Sequence, residues 1–388
     1  MLRKYAMFGR IKDFIGDVLQ QADLVLLSLC CAASAFGLLM IASATHYTGS
    51  RQYLLVQGAA LVIGIFLYFI ISMVDLQPLI KRWKWILGFN VGFILLLLTP
   101  LGTEVGGNRA WLSASWLPMN IQPAEIVKLT FIMLLARQLV WLKDTRDLKS
   151  VSSVAMLGGH LLFMVGLIYV VSSDMGSALV YVFAFIGMAF AAGMALRWFL
   201  AGGAAAGIGF YLLWEKDKIP EYMKMRFRIL FEHDLDPQGV GWHQTRSLLA
   251  LGSGRFTGQG LFKGTQTQSE YSGSLPARHT DFIFSVVGEE RGMLGCLLVI
   301  ALLAAIIIRC LVVAKNANSR LDAYICVGIA SVMIFQMVEN IGMCLFVMPV
   351  IGLTLPFFSY GGSSLVTMFA AMGLVSGVKK RSLPEWLR

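Results

Sequence analysis

Residues 275–292, LPARHTDFIFSVVGEERG, concentrate the side chains of this chain that could do chemistry. His279, Thr280 and Asp281 close a polar stretch, and an apolar helix follows at once, carrying Glu289, Glu290 and Arg291. A charge inside hydrocarbon costs about 2.5–3.5 kcal/mol on insertion scales. An acid at the helix mouth, at the edge of water, is suited to take a proton from an attacking hydroxyl. The plain alternative for Asp281 is an N-cap. The helical repeat puts Ser285, Gly288, Gly292 and Gly295 on the face of Asp281, a small-residue stripe that another helix can approach closely. Glu289 lies about 12 Å deeper along the helix. Glu289, Glu290 and Arg291 are read either as supports of the site or as a structural network with Glu125 or Lys128.

Other polar sets recur along the chain. Residues 102–122 are Gly-rich and carry Arg109, Trp111 and Trp116, where tryptophan is an interface anchor or a stacking ring. Pro123 is a good first helical residue, and Glu125 and Lys128 follow as i,i+3 neighbours. Asp174 either caps the next helix or faces the site. Residues 215–280 form the one long hydrophilic segment; it holds Trp242, His243, Gln244, Arg246 and Ser247. Gln336, Glu339 and Asn340 share one helix face, as packing glue or as substrate contacts. Residues 348–364 hold two prolines and a Gly pair and predict an irregular or re-entrant stretch. Cations around a carboxylate would hold a phosphate-bearing group, and a membrane setting suggests a lipid carrier. A proton-coupled transporter would also fit.

The elements that position these residues follow from composition. The chain has 388 residues, 57% hydrophobic and only 14% charged. Soluble domains carry about 25% charged residues, so the sequence predicts an all-α polytopic membrane protein, one domain over 1–388. Its apolar runs are about 20 residues long, which excludes a β-barrel. Ten spans are expected, near 23–43, 53–74, 85–101, 123–142, 152–172, 177–194, 198–214, 282–313, 323–347 and 364–378. The eighth is expected to be tilted or broken near Gly288 and Gly292. Residues 1–21 read as a basic cytoplasmic lead-in, 220–233 as an amphipathic surface helix and 379–388 as a cytoplasmic tail. Short loops rich in Lys and Arg fall on one side, which predicts cytoplasmic termini and an extracytoplasmic loop 215–280 between helices 7 and 8. All six cysteines lie in apolar runs, so neither a disulfide framework nor a zinc site is expected. The net charge of +10 belongs to span flanks, not to nucleic-acid binding.

Six segments together resemble the SEDS family (shape, elongation, division and sporulation), whose members include RodA, FtsW and SpoVE. They are GGNRAWL (106–112), QPAEIVK (122–128), SDMGSAL (173–179), WHQTRSLLALGSGRFTGQGL (242–261), HTDFIFSVVGEERG (279–292) and GLTLPFFSYGGSSL (352–365). The resemblance implies a ten-helix inverting peptidoglycan glycosyltransferase of the bacterial cytoplasmic membrane. Its site would face outward, and its donor would be lipid II, a disaccharide-pentapeptide on undecaprenyl pyrophosphate. Asp281 would be the catalytic base. The resemblance implies that Arg109, Trp111, Glu125, Lys128, Glu289 and Ser359, Tyr360, Gly361, Gly362 and Ser363 line or support the site; Gln122, Asp174, Gln244, Ser247, Arg278, His279, Thr280, Gln336 and Asn340 are the further candidates at the substrate. It implies a class B penicillin-binding protein and other elongation-complex or divisome membrane proteins as partners, and a divalent cation (Mg or Mn) as an aid to the leaving pyrophosphate. The chain departs from the family at Ala277, where relatives commonly have Glu, and at Arg291, where Leu is usual. A RodA-like role is expected. A division-type FtsW-like polymerase, a lipid II flippase and a non-catalytic scaffold are the alternatives, with an O-antigen-ligase-like transferase more distant.

Overall fold

A computed structural model describes residues 22–105, 107–114, 119–232, 235, 239, 241–271 and 274–383. The expected lead-in at 1–21, Trp116 and the last residues of the tail lie outside them.

Fifteen elements follow in order. They are α1 (Leu24–Thr45), α2 (Gln52–Ser72), α3 (Leu76–Lys81), α4 (Trp83–Leu95), β1 (Gly102–Val105), β2 (Asn108–Leu112), α5 (Pro123–Thr145), α6 (Val151–Ser172), α7 (Met175–Ala192), α8 (Leu196–Glu215), α9 (Glu221–Arg228), α10 (Trp242–Gly254), α11 (Ile283–Lys315), α12 (Arg320–Cys344) and α13 (Gly362–Ser382). The fold is an all-α polytopic membrane bundle. Among the described residues, eight helices are long and apolar enough to cross a membrane: α1, α2, α6, α7, α8, α11, α12 and α13. Two further expected spans are of different make. Trp83–Leu98 is shorter. α5 has 23 residues but carries Glu125, Lys128, Arg137, Lys143 and Asp144.

The core is built by α13 lying along α2 and by α12 between α7 and α11. α8 has no buried residue and sits at the rim. It is tied down at its start, where Arg197 and Trp198 both donate to the Lys149 carbonyl, at 3.2 and 3.0 Å. At the basic end of the bundle, buried Asp23 caps α1 and pairs with Arg309 at 2.8 Å and Lys379 at 3.2 Å.

Three features differ from, or add to, the sequence expectation. Residues 102–112 form an antiparallel hairpin, closed by a bridge from Leu112 to Ile121, because the polar Gly-rich stretch pairs with itself. The long loop is not irregular throughout: 242–254 form α10, which lies on the small-residue stripe of α11. Ser247 and Ser285 hydroxyls meet at 2.6 Å, and a Cβ at Gly254 would lie 1.8 Å from the Gly288 carbonyl oxygen. The expected break in α11 falls at Gly292, with φ 63° and ψ −162°. That left-handed backbone favours glycine, and a Cβ there would strike Phe256 O at 2.5 Å and Gly258 N at 2.4 Å.

Candidate functional site

Asp281 sits in the turn that leads into α11, held from three directions. From α12, the Asn340 amide nitrogen donates to the Asp281 carbonyl at 2.9 Å and to the Leu353 carbonyl at 2.7 Å. From the 345–361 segment, the Ser359 hydroxyl donates to Thr280 O at 2.6 Å and the Tyr360 N–H to His279 O at 2.8 Å. From α2, Gln57 donates to Ser359 O at 3.1 Å and accepts from Gly361 N–H at 3.1 Å. These bonds take up backbone groups and leave the Asp281 side chain for chemistry. Burial pushes its carboxyl up to about 6, against a smaller opposing hydrogen bond from Thr280. Burial, and then the Arg278 charge, lower the His279 imidazole, so it is neutral near pH 7.

A second polar group lies at the junction of α5, α7 and α13. Gln122 donates to Asp174 at 3.0 Å and to Ser177 at 3.3 Å, and its N–H donates to Ser363 at 3.2 Å. Asp174 is also the cap of α7, accepting from Ser177 N–H at 2.9 Å. One turn into α5, Glu125 and Lys128 form a buried pair at 2.8 Å. The 345–361 segment links the two groups: a Cβ at Gly176 would meet Ile351 O at 2.7 Å, and Leu353, held by Asn340, lies beside it. An apolar groove of about 510 Å³ starts at Ile121 and Ser363 and runs between α2, α5 and α13 towards Val74 and Leu374.

The family model described as "Cell cycle protein", covering FtsW, RodA and SpoVE, matches residues 23–383. The chain belongs to the SEDS family. It is 33% identical over 384 residues to a probable peptidoglycan glycosyltransferase FtsW of Pseudoalteromonas atlantica, covering 95% of this chain and 75% of the relative. It is 30% identical to the peptidoglycan glycosyltransferase MrdB of Escherichia coli K12, over 81% of this chain and 83% of that one. Among solved structures, a peptidoglycan synthase complex described as coordinating polymerization and crosslinking aligns with TM-score 0.78 at 30% identity, over 93% of this chain and 98% of that one. The rod shape determining protein RodA of Thermus thermophilus aligns at 0.68 and 28%, over 94% and 98%.

Not every expected residue of this SEDS chain reaches Asp281. Glu289 is fully buried and accepts from Thr265 Oγ1 (3.1 Å), Gln266 N (2.7 Å), Thr267 N (2.8 Å) and Thr267 Oγ1 (2.6 Å). Glu290 likewise accepts from Ser43, Phe262 N–H and Gln268. The two acids moor the 259–268 loop to α11; neither meets Glu125 or Lys128, and Arg291 is exposed. Arg278 lies over the Tyr47 ring at 3.8 Å and donates to Thr267 O and, at 3.0 Å, to Ser269 O. Glu289 and Arg278 thus hold the same loop, meeting at Thr267, and Arg278 lies three residues before Asp281. Gln244 and Ser247 fasten α10 to the end of α12, bonding the Met343, Met348 and Cys344 carbonyls. Arg109 donates to Thr99 O at 3.0 Å and, with Trp111, belongs to the hairpin. Gly362 opens α13 against Met119, and Gln336 is buried one turn below Glu339. Lys128, Arg278 and Arg109 are thus each engaged with protein partners in this arrangement.

Tyr53 and Gln57 also lie at the site and are not singled out by the sequence reading, whereas Glu339 is, on the face it shares with Gln336 and Asn340. Gln57 is a lone polar residue in an apolar run, a signal that gives no direction before the helices are packed. Tyr53 precedes it by four residues, on the same face. Glu339 is 2% exposed, and its electrostatic neighbours are the Asp281 carboxylate and the Ile351 backbone N–H. Among the described residues no three His, Cys, Asp or Glu side chains converge on a common point. The described residues thus offer no ligand set at this site for a metal ion held wholly by protein.

The mooring role of Glu289 makes a prediction. Glu289→Gln exchanges an acceptor oxygen for a donor among four donors, and is expected to cost about 1–3 kcal/mol. Limited proteolysis of the purified chain should then cut within residues 258–268; wild-type resistance there would contradict the role.

Proposed function

We propose that this SEDS glycosyltransferase polymerises lipid II into glycan strands in the bacterial cytoplasmic membrane. Both termini would be cytoplasmic and Asp281 would lie at the outer face. The observation that carries the reading is the pairing of one ready carboxylate, braced by Asn340 and Ser359, with an apolar groove that ends at Ser363. A saccharide pyrophosphate at the mouth and a polyprenyl chain in the groove would satisfy both.

In this reading Asp281 removes the proton of the acceptor 4-hydroxyl. The freed oxygen attacks the anomeric carbon of the donor from the face opposite the pyrophosphate. The carbon–oxygen bond to pyrophosphate breaks with inversion, and the electron pair leaves with the phosphate. Holding both sugars in line converts a bimolecular step into a local one. A divalent cation accompanying the pyrophosphate, as Mg²⁺ commonly accompanies phosphates, would offset leaving-group charge.

The test is polymer formation from lipid II by the purified chain in detergent, alone and with a class B penicillin-binding protein, with Asp281→Ala as control. A wild type that makes no polymer in either setting sinks the reading. Asp281→Asn complementing a deletion would favour a scaffold instead. The RodA-like elongation role is tested by co-purification: an elongation-type partner supports it, a division-type partner replaces it.

The groove has its own test. Ala370→Phe would fill it near its middle, since Ala370 lines it beside Leu67 and Met133. We expect the KM for long-chain lipid II to rise severalfold, with a short-prenyl analogue unaffected, because each lost methylene contact forfeits about 0.8 kcal/mol. Equal effects on both substrates would remove the tail from the groove.

A further inference from the structure

Three aromatic rings from three separate parts of the chain meet beside Asp281. The Tyr53 ring centre lies 4.8 Å from that of His279 and 5.2 Å from that of Tyr360, and the last two are 5.6 Å apart. Their planes are inclined at 56°, 81° and 55°. At these inclinations the rings meet tilted or edge to face instead of stacking, and each keeps part of its surface open. All three are half-buried.

We propose that Tyr53, His279 and Tyr360 form a cup for a hexopyranose ring, the acceptor sugar whose hydroxyl Asp281 deprotonates. This rests on the glycosyltransferase reading above.

A pyranose has an apolar face of C–H bonds and a rim of hydroxyls. Aromatic faces are electron-rich and match C–H hydrogens, while phenol and imidazole edges match hydroxyls. The cup offers both. The two phenol hydroxyls and the two imidazole nitrogens make no hydrogen bond to any described residue, so they are available to a ligand. A neutral imidazole can accept at one nitrogen and donate at the other. Binding sites are generally apolar walls with a few such polar groups.

The walls are also held in place before any ligand arrives. The Tyr360 N–H to His279 O bond, 2.8 Å, ties two of them together, two residues from Asp281. The third is fixed through Gln57, one turn after Tyr53, which bonds both Ser359 O and Gly361 N–H. A cup that need not be ordered on binding loses less affinity to entropy. A sugar seated there is kept within reach of the Asp281 carboxylate by the backbone that carries both.

A plain packing cluster would have the same ring distances, so the experiment must separate the two. The probe is the soluble β-1,4-linked trisaccharide of N-acetylglucosamine, added to the detergent-solubilised full chain and followed by saturation-transfer NMR. In the wild type, transfer to the pyranose C–H protons is expected. Tyr53→Leu should lower that transfer about tenfold and raise the KM for lipid II about tenfold, with kcat changed by less than about twofold. Tyr53→Phe, which keeps the ring and gives up only the hydroxyl, should lose less of each than Tyr53→Leu. No transfer in the wild type overturns the cup, as does a Tyr53→Leu enzyme that loses only kcat or loses nothing. Should Tyr53→Leu fail to fold, Tyr53→Met takes its place under the same criteria. A wild type that binds the trisaccharide yet forms no polymer refutes the glycosyltransferase reading and leaves the cup standing.

Discussion

Asp281→Asn is expected to lower the rate of polymerisation by about 10²–10⁴-fold, the range that a general base contributes. The amide keeps the size of the side chain, and the Asn340 bond goes to the backbone carbonyl, so the turn should persist. Thermal unfolding should therefore match the wild type or rise slightly, because the raised carboxyl value means that ionising Asp281 costs folding free energy. The sign follows from the direction of the shift: the folded value is about 6 against an ordinary 3.8, so the neutral form is the one that folding favours. Catalysis needs the other form. The wild-type kcat/KM should fall as pH drops through about 6 and level off above it. A profile flat from pH 5 to 8 would argue against Asp281 as the base. An Asp281→Asn enzyme with wild-type rate would dismiss it outright.

Lys128→Met is expected to destabilise the protein by about 3–5 kcal/mol, the cost of leaving one member of a buried ion pair without its partner. Lys128 and Glu125 are only 2% and 6% exposed, and their 2.8 Å contact is the only ion pair either makes among the described residues. The double variant Glu125→Gln/Lys128→Met should recover most of the loss, since it removes both charges from an apolar setting. Thermal unfolding of the three purified variants measures this. If the single variant is as stable as the wild type, Glu125 has found another partner or water. If the double variant is stable but inactive, the pair has a role at the substrate as well as in the fold.

The three mooring points of Asp281 explain why its neighbourhood was only partly legible. Asn340 was foreseen because it shares a helix face with Gln336 and Glu339, and that depends only on the helical repeat. Ser359 and Tyr360 were foreseen only through the SEDS resemblance of the segment that carries them. Gln57 and Tyr53 were not, since a polar residue or a ring in an apolar run has no stated direction until helices are packed. The acids of α11 show the opposite case. Glu289 and Glu290 are adjacent to the site in sequence, yet the 259–268 loop folds over them and takes every oxygen.

The sequence by itself determined that this is a helical membrane protein, roughly where its apolar helices run, that its eighth span is tilted or broken near Gly288 and Gly292, and that Asp281 stands at a helix mouth beside a long polar segment. Hydrocarbon penalises exposed backbone and charge so strongly that composition and spacing suffice for those conclusions. Six motif segments likewise carried the SEDS resemblance. Only the tertiary structure decided which charges are spent on the fold and which remain at the site. Glu289, Arg278 and Lys128 each satisfy protein partners from distant parts of the chain, and such long-range hydrogen bonds are a property of packing, not of local pattern. The same holds for the Tyr53, His279 and Tyr360 rings, which are more than 80 residues apart at the closest and meet only because α2 and the 345–361 segment converge on the turn before α11.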